Sequence, residues 1–258
     1  MAKIFRVTVA DFRKVWQPFY SGAKSNLVTF VKLKLWCFFK CWNIHTALAI
    51  AGIIGPLMLV VGDLTAALST QGYSMAQNSI SSLALTRIGF LQTIGFLALG
   101  LLIEIFTAGL LFNMKRDRWF HLGIAIFVLF GFTMLLIGAF RTDPAGTTDA
   151  ARTIEGRIHG LTAQTAFTLF PFAILFLLPS IRRDPGWKNL FRYTQVTFVL
   201  ALVLIVIIKV FKEPNSLFGL MERLLVANMI LWVEVAAVNL FILSLKRGKK
   251  ALGLSLDA

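Results

Sequence analysis

The stretch Phe120–Phe140, FHLGIAIFVLFGFTMLLIGAF, contains no Asp, Glu, Lys or Arg. As a helix rising 1.5 Å per residue it would be about 30 Å long, which is the thickness of the hydrocarbon core of a bilayer. Five more segments are long and apolar, and each contains at most one charged residue. The sequence therefore predicts an all-α, polytopic integral membrane protein with a bundle of six transmembrane helices. The five other predicted spans are Ile44–Leu68, Ile88–Phe112, Gly160–Pro179, Gln195–Lys209 and Leu224–Leu245.

The composition agrees with a membrane location. Of the 258 residues, 57% are hydrophobic and 15% are charged. Soluble domains are closer to half apolar and a quarter charged, so this chain is more apolar and less charged than a soluble domain. The same two values exclude a disordered chain. The net charge of +14 does not predict nucleic-acid binding, because the basic residues are distributed as membrane topology requires. Two cysteines, Cys37 and Cys41, are too few for a disulfide framework.

The Lys and Arg residues divide unevenly between the two sides of the predicted bundle. Residues 1–43, the loops at 114–119 and 180–194, and the C-terminal tail together carry 19 of them, and the other side carries seven. Cytoplasmic loops are enriched in Lys and Arg. Both termini are therefore predicted to face the cytoplasm (N-in/C-in).

Three parts are predicted along the chain. Residues 1–43 mix basic and aromatic side chains and are predicted to lie in the membrane interface on the cytoplasmic side. Residues 44–245 form the six-helix domain, and residues 246–258 form a basic cytoplasmic tail. A secretory signal is not predicted, because the first apolar run is repeatedly charged and no small-residue cleavage site follows it. A transit peptide stays an alternative for a eukaryotic source.

The polar residues outside the topology charges gather on the outward-facing side. The first outer loop supplies Asn78, Ser79 and Ser81, and the second supplies Asp143 and His159. We expect these residues to share an outward-facing pocket that binds a lipid headgroup or a small amphiphile. Arg141 or Arg157 would then contact a phosphate group.

Three ionisable residues fall inside predicted spans: Glu104, Lys209 and Glu234. Charged side chains are costly in a bilayer, so each suggests a functional or a pairing role. Counted from the predicted helix ends, the depths of Lys209 and Glu234 in the bilayer differ by less than the length of a lysine side chain. We therefore expect them to form a buried ion pair, with transport or lipid binding as the alternative role.

Four short motifs occur in order along the chain: Asn78-Ser-Ile-Ser-Ser-Leu83, Gly89-Phe-Leu-Gln-Thr-Ile-Gly-Phe96, Phe140-Arg-Thr-Asp143 and Ile158-His-Gly160. Together they resemble domain-of-unknown-function family 998, a family of prokaryotic membrane proteins with about six helices. That family is distantly similar to the Frag1/DRAM/Sfk1 membrane proteins, some of which are linked to lipid remodelling or lipid distribution.

The resemblance covers roughly residues 44–245. It implies the six-helix fold and a location in the bacterial inner membrane. It also implies that Ser79, Ser81, Asp143 and His159 are the matching positions. It implies no reaction.

Two chemical alternatives use the same outer residues, so the sequence leaves open whether the protein is an enzyme. A lipid hydrolase or acyl transferase would use Ser81 as nucleophile, His159 as base and Asp143 as the acid that orients the base. A three-histidine metal site is excluded, because two of the three histidines begin helices on the cytoplasmic side. A carboxylate-rich site of His159, Asp143 and Asp63 stays open, but no metal is predicted.

Two further interpretations need no small molecule. Asn78, Ser79, Ser81 and Asp143 are residue types that cap helices and start turns, so the outer cluster is also explained as loop structure. The protein could instead be a non-catalytic assembly factor of the membrane. No glycine-rich phosphate loop, dinucleotide fingerprint or haem motif occurs, so no cofactor is predicted. Membrane lipids are the predicted partners, nucleic acid is not, and the oligomeric state is left open.

Overall fold

Each of the six apolar segments forms one helix in the computed structural model, which describes residues 42–209 and 217–251. All six helices are long and apolar enough to cross a bilayer, and the described ranges contain no strand. The predicted all-α, six-helix membrane fold is confirmed. The helices are α1 (Ile44–Leu68), α2 (Phe90–Asn113), α3 (Phe120–Ala139), α4 (Ile154–Arg183), α5 (Phe191–Ile208) and α6 (Phe218–Ala251).

Helices α4 and α6 are longer at both ends than hydropathy predicts. The first turn of α4 contains Glu155 and its last turn contains Arg182 and Arg183. The extra N-terminal turns of α6 contain Glu222 and Arg223. Hydropathy excludes charged turns from an apolar span, although a helix continues readily through them.

Small residues bring neighbouring helices close together. A Cβ atom at Gly100 of α2 would lie 2.7 Å from the backbone nitrogen of Leu135 in α3. A Cβ atom at Gly62 of α1 would lie 2.9 Å from the carbonyl oxygen of Leu91 in α2. Since neither backbone atom can move without moving its helix, glycine sets the helix spacing at both contacts.

Aromatic side chains form the core of the bundle where α3, α4 and α6 meet. Phe127 packs against Phe130, Phe170 and Trp232 with ring centroids 5.7, 6.2 and 5.8 Å apart. All four side chains are buried. Aromatic pairs at these spacings add to the free energy of burial, so this cluster fixes the three helices relative to one another.

The helices α5 and α6 run antiparallel. Asn228 donates a hydrogen bond from Nδ2 to the carbonyl oxygen of Thr197 (3.0 Å), and Trp232 donates from Nε1 to Oγ1 of Thr194 (3.0 Å). We call the end of the bundle with loops 69–89 and 140–153 the polar end. The end with loops 114–119 and 184–190 is the basic end.

Residues 44–242 form one compact unit, which contains every site described below. Residues 42–43 and 243–251 belong to a second unit, in which Asn43 donates from Nδ2 to the carbonyl oxygen of Ser244 (3.2 Å). The predicted interfacial segment lies outside the described residues except for its last two, and so does the end of the predicted C-terminal tail.

Candidate functional site

The long loop at the polar end is held in place by Arg223 of α6. Its guanidinium group pairs with both carboxylate oxygens of Asp63 in α1, at 3.0 and 3.3 Å, and both side chains are 13% exposed. The same group donates to the carbonyl oxygens of Met75 (2.8 Å), Asn78 (3.0 Å) and Gly219 (3.2 Å). One arginine therefore joins α1, α6 and the loop, with its charge balanced by a carboxylate.

Tyr73 completes this arrangement. Its hydroxyl accepts a hydrogen bond from Nη2 of Arg223 (2.6 Å) and donates to the carbonyl oxygen of Ser79 (2.7 Å). Burial raises the pKa of Tyr73 above its ordinary value, although the hydrogen bond from Arg223 and the arginine charge act in the opposite direction. The phenol therefore stays protonated at neutral pH and can donate to the loop.

Glu222, the neighbour of Arg223, binds the next part of the loop. Its Oε2 accepts a hydrogen bond from the backbone nitrogen of Ile80 (2.7 Å), and Glu222 is 8% exposed. Two consecutive residues of α6 with opposite charges thus fix both Asn78 and Ile80. The segment that follows is a short 3₁₀ helix, Ser81–Leu85, which begins over the end of the bundle.

A cavity lies beneath this segment, with about 470 Å³ of empty space including the part that opens to solvent. Three polar residues, Ser81, His159 and Glu222, contribute to its lining. The rest of the lining is apolar and comes from the loop and from five helices. These apolar residues are Leu59, Ile80, Phe96, Leu99, Phe130, Met134, Ile137, Ala163, Phe167, Val226, Met229 and Ile230. A lining of this composition is typical of sites that bind small, mostly apolar molecules.

His159 is buried in the second turn of α4, and its ring is oriented by the end of α3. Nδ1 lies 2.9 Å from the carbonyl oxygen of Phe140. Because a carbonyl oxygen only accepts hydrogen bonds, Nδ1 carries the proton and Nε2 is the nitrogen with the free lone pair in the neutral ring. The backbone therefore fixes the orientation and the tautomer of the ring.

Asp143 lies over the N-terminus of α4. Its carboxylate accepts hydrogen bonds from the backbone nitrogen of Thr153 (3.1 Å) and from Oγ1 of Thr153 (2.8 Å). Thr153 is the N-cap and itself accepts from the backbone nitrogen of Gly156 (3.0 Å). A Cβ atom at Gly156 would collide with the Asp143 carboxylate. This position gives Asp143 a capping role, stabilised by the positive end of the helix dipole.

Of the predicted site residues, the structure brings Ser81 and His159 together in the cavity lining, whereas Asn78, Ser79 and Asp143 are not part of it. Oδ1 of Asn78 accepts from the backbone nitrogen of Ser74 (2.9 Å). Ser79 is buried and its carbonyl oxygen accepts from Tyr73 and from Oγ of Ser82.

Two contacts that the sequence left open in the outer cluster are not formed. Asp143 does not orient His159, because Nδ1 of His159 is bound to the backbone and Asp143 is bound to Thr153. A metal site of His159, Asp143 and Asp63 is not formed either, since Asp63 pairs with Arg223. Within the described ranges no group of three His, Cys, Asp or Glu residues could hold a metal ion.

The two arginines that were predicted to contact a phosphate lie outside the cavity. Arg141 and Arg157 are exposed and do not line the cavity, and Arg157 donates to the carbonyl oxygen of Asp149 (3.2 Å). The arginine that is built into this end is Arg223. The sequence analysis counts Arg223 among the topology charges. Its neighbour Glu222 also interrupts an apolar run, and that pair of opposite charges is the pattern that indicates a polar contact.

The predicted ion pair of Lys209 with Glu234 is not formed. Lys209 is the exposed C-cap of α5, at the polar end. The contact of Trp232 with Thr194 shows that Glu234 is level with the opposite end of α5. Its Oε1 is buried and makes no hydrogen bond to any described residue. The prediction is wrong because α5 and α6 begin four and six residues earlier than predicted, at Phe191 and Phe218. The depths of Lys209 and Glu234 were counted from those two helix starts.

Two more polar side chains lie within α2. A Cβ atom at Gly131 of α3 would lie 2.6 Å from Oε1 of Glu104, so that carboxyl group packs against the glycine backbone. Gln92 is fully buried, and neither of its amide atoms has a hydrogen-bond partner in the described part of the chain. It lies one helical turn from Phe96, which lines the cavity.

Six apolar helices and a polar loop folded over one end define an integral, multi-pass membrane protein of the helical-bundle class. The chain belongs to the family described as "Protein of unknown function (DUF998)", whose family model matches residues 53–239. Comparison with curated proteins and with solved structures gave no match. The resemblance to domain-of-unknown-function family 998 is thereby confirmed, while the wider likeness to the Frag1/DRAM/Sfk1 proteins stays a prediction.

Proposed function

We propose that the protein binds a small amphiphile or lipid in the cavity at the polar end. The observation that supports this is the division of the cavity lining into a polar group of three residues and twelve apolar residues. An acyl or alkyl chain would pack against the apolar walls, where burial of apolar surface supplies the binding free energy. The head would contact Ser81, His159 and Glu222.

The polar lining favours a head with hydrogen-bond donors. Nε2 of His159 is an acceptor in the neutral ring, Ser81 can accept as well as donate, and the Glu222 carboxylate accepts only. A carboxylate in the lining also disfavours a phosphate by charge repulsion. A hydroxyl-bearing or amine-bearing amphiphile fits these groups better than the phosphate-bearing headgroup that the sequence suggested.

The location and orientation belong to this proposal. We place the protein in the bacterial inner membrane with both termini in the cytoplasm, so that the cavity opens outward. The uneven distribution of Lys and Arg supports that orientation, because 19 of the 26 lie on the side of the termini. Membrane lipids are then the available ligands.

The test is native mass spectrometry of the detergent-purified protein with monoolein, oleylamine and oleoyl phosphate as probes. Val226→Phe places a ring in the cavity lining, whereas Val238→Phe makes the same change at an exposed position of the same helix. We expect monoolein or oleylamine adducts on the wild type and on V238F, and a loss of about tenfold on V226F. Equal adducts on all three proteins, or preferential binding of oleoyl phosphate, would contradict the proposal.

A second variant separates binding from loop structure. In His159→Asn the amide nitrogen can replace Nδ1 as donor to the Phe140 carbonyl oxygen, while the group corresponding to Nε2 is lost. We expect normal folding, judged by the thermal unfolding curve, and weaker retention of the probe. Normal retention with normal folding would remove His159 from the binding site.

A lipid hydrolase is the second candidate, because Ser81 and His159 line the same cavity. The Ser81 hydroxyl would attack the ester carbonyl of monoolein and release glycerol, and water would then release oleate from the acyl-enzyme. His159 would accept and return the proton in each step. Oleate formed by the wild type, and not by H159N or Ser81→Ala, would support hydrolysis, whereas an unchanged probe mass would leave binding alone.

A further inference from the structure

Gln92, in the first turn of α2, carries a fully buried amide group. Its side chain is 0% exposed, and neither Oε1 nor Nε2 has a hydrogen-bond partner in the described part of the chain. An amide that leaves water without gaining a partner destabilises the folded protein, and such groups are rare in native structures. Gln92 therefore keeps one buried acceptor and one buried donor at a cost to stability.

The direction of the Gln92 side chain follows from the contacts that α2 makes with its neighbours. It faces α1 at Gly95 and α3 at Gly100, where a Cβ atom would lie 3.2 Å from the α1 backbone and 2.7 Å from the α3 backbone, respectively. At about 100° per residue, Gln92 lies between these two faces, within about 40° of Phe96 and about 20° of Leu99 around the helix. Phe96 and Leu99 both line the cavity. Gln92 therefore points toward the centre of the bundle, as they do.

Gln92 is also level with the polar group of the cavity lining. A Cβ atom at Gly62 of α1 would lie 3.9 Å from the backbone nitrogen of Gln92. The residue after Gly62 is Asp63, which pairs with Arg223 of α6. Glu222, the neighbour of Arg223, lines the cavity. The packing of α1 against α2 and α6 thus brings Gln92 to the level of Glu222.

Cavity-lining residues lie on both sides of Gln92 along the axis of the bundle. Phe96 lies one turn deeper on the same helix, whereas Ile80 and Ser81 lie in the loop at the polar end. Helical side chains lean toward the N-terminus of their helix, which for α2 is the polar end. Gln92 is not itself part of the lining, so its amide lies in the wall between the loop and Phe96. A head group bound at the polar end of the cavity would meet the amide there.

We propose that Gln92 binds the head of the cavity's ligand and selects a neutral, hydroxyl-bearing amphiphile. This inference rests on the proposed function of the cavity. A hydroxyl group can donate to Oε1 and accept from Nε2, so it supplies both missing hydrogen bonds. An ammonium group only donates and leaves Nε2 unpaired, whereas a phosphate dianion only accepts and leaves Oε1 unpaired. Either charged head is disfavoured, because a buried polar atom stays without a partner.

The experiment compares oleyl alcohol with oleylamine, which have the same chain and differ only in the head. Native mass spectrometry of the detergent-purified full chain at neutral pH measures how tightly each probe binds. The test variant is Gln92→Met, which keeps the length of the side chain and removes both amide atoms. The control is Gln164→Met, the same change at an exposed position of α4. We expect the wild type and Q164M to bind oleyl alcohol about tenfold more tightly than oleylamine, and Q92M to lose that preference.

Thermal unfolding distinguishes ligand binding from a structural role of the amide. Without ligand, Q92M should unfold about 2–4 °C above the wild type, because the unpaired amide is gone. Oleyl alcohol should raise the unfolding temperature of the wild type more than that of Q92M, since a ligand stabilises in proportion to its binding. A lower unfolding temperature for ligand-free Q92M would mean that the amide stabilises the fold, and would overturn the proposal.

The V226F variant separates this inference from the proposed function. If V226F weakens both probes and Q92M still prefers oleyl alcohol, the cavity binds its ligand but Gln92 does not select the head. If V226F weakens neither probe, the cavity is not the binding site and both proposals fail. Should Q92M not fold, Gln92→Leu also removes both amide atoms and is measured against Gln164→Leu. Loss of the preference in Q92L alone would support the proposal.

Discussion

At the polar end, the largely buried Glu222 and Arg223 hold a loop from inside the protein, whereas at the basic end the Lys and Arg side chains of the loops 114–119 and 184–190 are exposed. Glu222 and Arg223 of α6 hold the 69–89 loop from inside, and their partners lie 142 to 160 residues away in sequence. The loops at the basic end are short and are held by Asp184 and by the indole of Trp187, which donates to the carbonyl oxygen of Asn113 (3.1 Å). The long loop 69–89 therefore has a cavity beneath it, whereas the short loops 114–119 and 184–190 form an exposed, positively charged surface.

The largest effect is expected at Arg223, on which the polar end depends. Arg223→Gln leaves the half-buried Asp63 carboxylate without its partner and removes the donor to three backbone carbonyl oxygens. We expect a loss of about 3–5 kcal/mol in the free energy of unfolding, as for other broken buried ion pairs. The measurement is an unfolding titration in mixed micelles of dodecyl maltoside and SDS.

Arg141→Gln is the control, because Arg141 is exposed at the same end. It should change the free energy of unfolding by less than about 0.5 kcal/mol. Adding Asp63→Asn to R223Q should restore part of the lost stability, since the unpaired charge is then gone. If R223Q and R141Q unfold alike, the contacts of Arg223 do not hold the loop.

The sequence predicts the helices well and the polar end poorly, for the same physical reason. Hydropathy is a local property, so each of the six spans can be found without knowing its neighbours. The contact of Arg223 with Asp63 joins residues that only the folded bundle brings together. Ser81 and His159 were predicted because they lie in polar stretches between the predicted spans, but Glu222 was missed because it lies in an extension of an apolar helix.

The roles of Asp143 and Lys209 show where local reasoning stops. Capping and catalysis both require a carboxylate near a turn, so the sequence left both open for Asp143, and its bonds to Thr153 match capping. The predicted depths of Lys209 and Glu234 were counted from the starts of α5 and α6, and helix ends are the least certain part of a sequence prediction. The two helices begin at Phe191 and Phe218 rather than at Gln195 and Leu224, so both residues lie farther from those starts than predicted and are near opposite ends of the bundle.

A smaller effect is expected at the two aspartates that connect loops to helices at opposite ends. Asp184→Ala removes the acceptor for the backbone nitrogens of Lys115 and Gly186 and disconnects two loops of the basic end. We expect a loss of about 2 kcal/mol in the free energy of unfolding.

Asp143→Ala removes a contact between residues only ten apart, so the expected loss is about 1 kcal/mol. The same micelle titration measures both, and the reverse order would contradict the expectation that a contact between two loops contributes more than a contact within one loop.

The smallest effect is the pH dependence that Tyr73 adds to stability at alkaline pH. Burial raises the pKa of Tyr73 in the folded protein above that in the unfolded chain, so the folded state favours the protonated phenol. This contribution to stability is fully present below the unfolded pKa of about 10 and is lost as the pH rises through the folded value. Unfolding titrations between pH 8 and about pH 11 should therefore show a decline in stability that is smaller in Tyr73→Phe. The phenylalanine variant also loses the hydrogen bond to Ser79, so its stability at pH 8 should be lower by about 1 kcal/mol. Identical pH profiles for the two proteins would mean that the Tyr73 hydroxyl does not hold the loop as its contacts with Arg223 and Ser79 indicate.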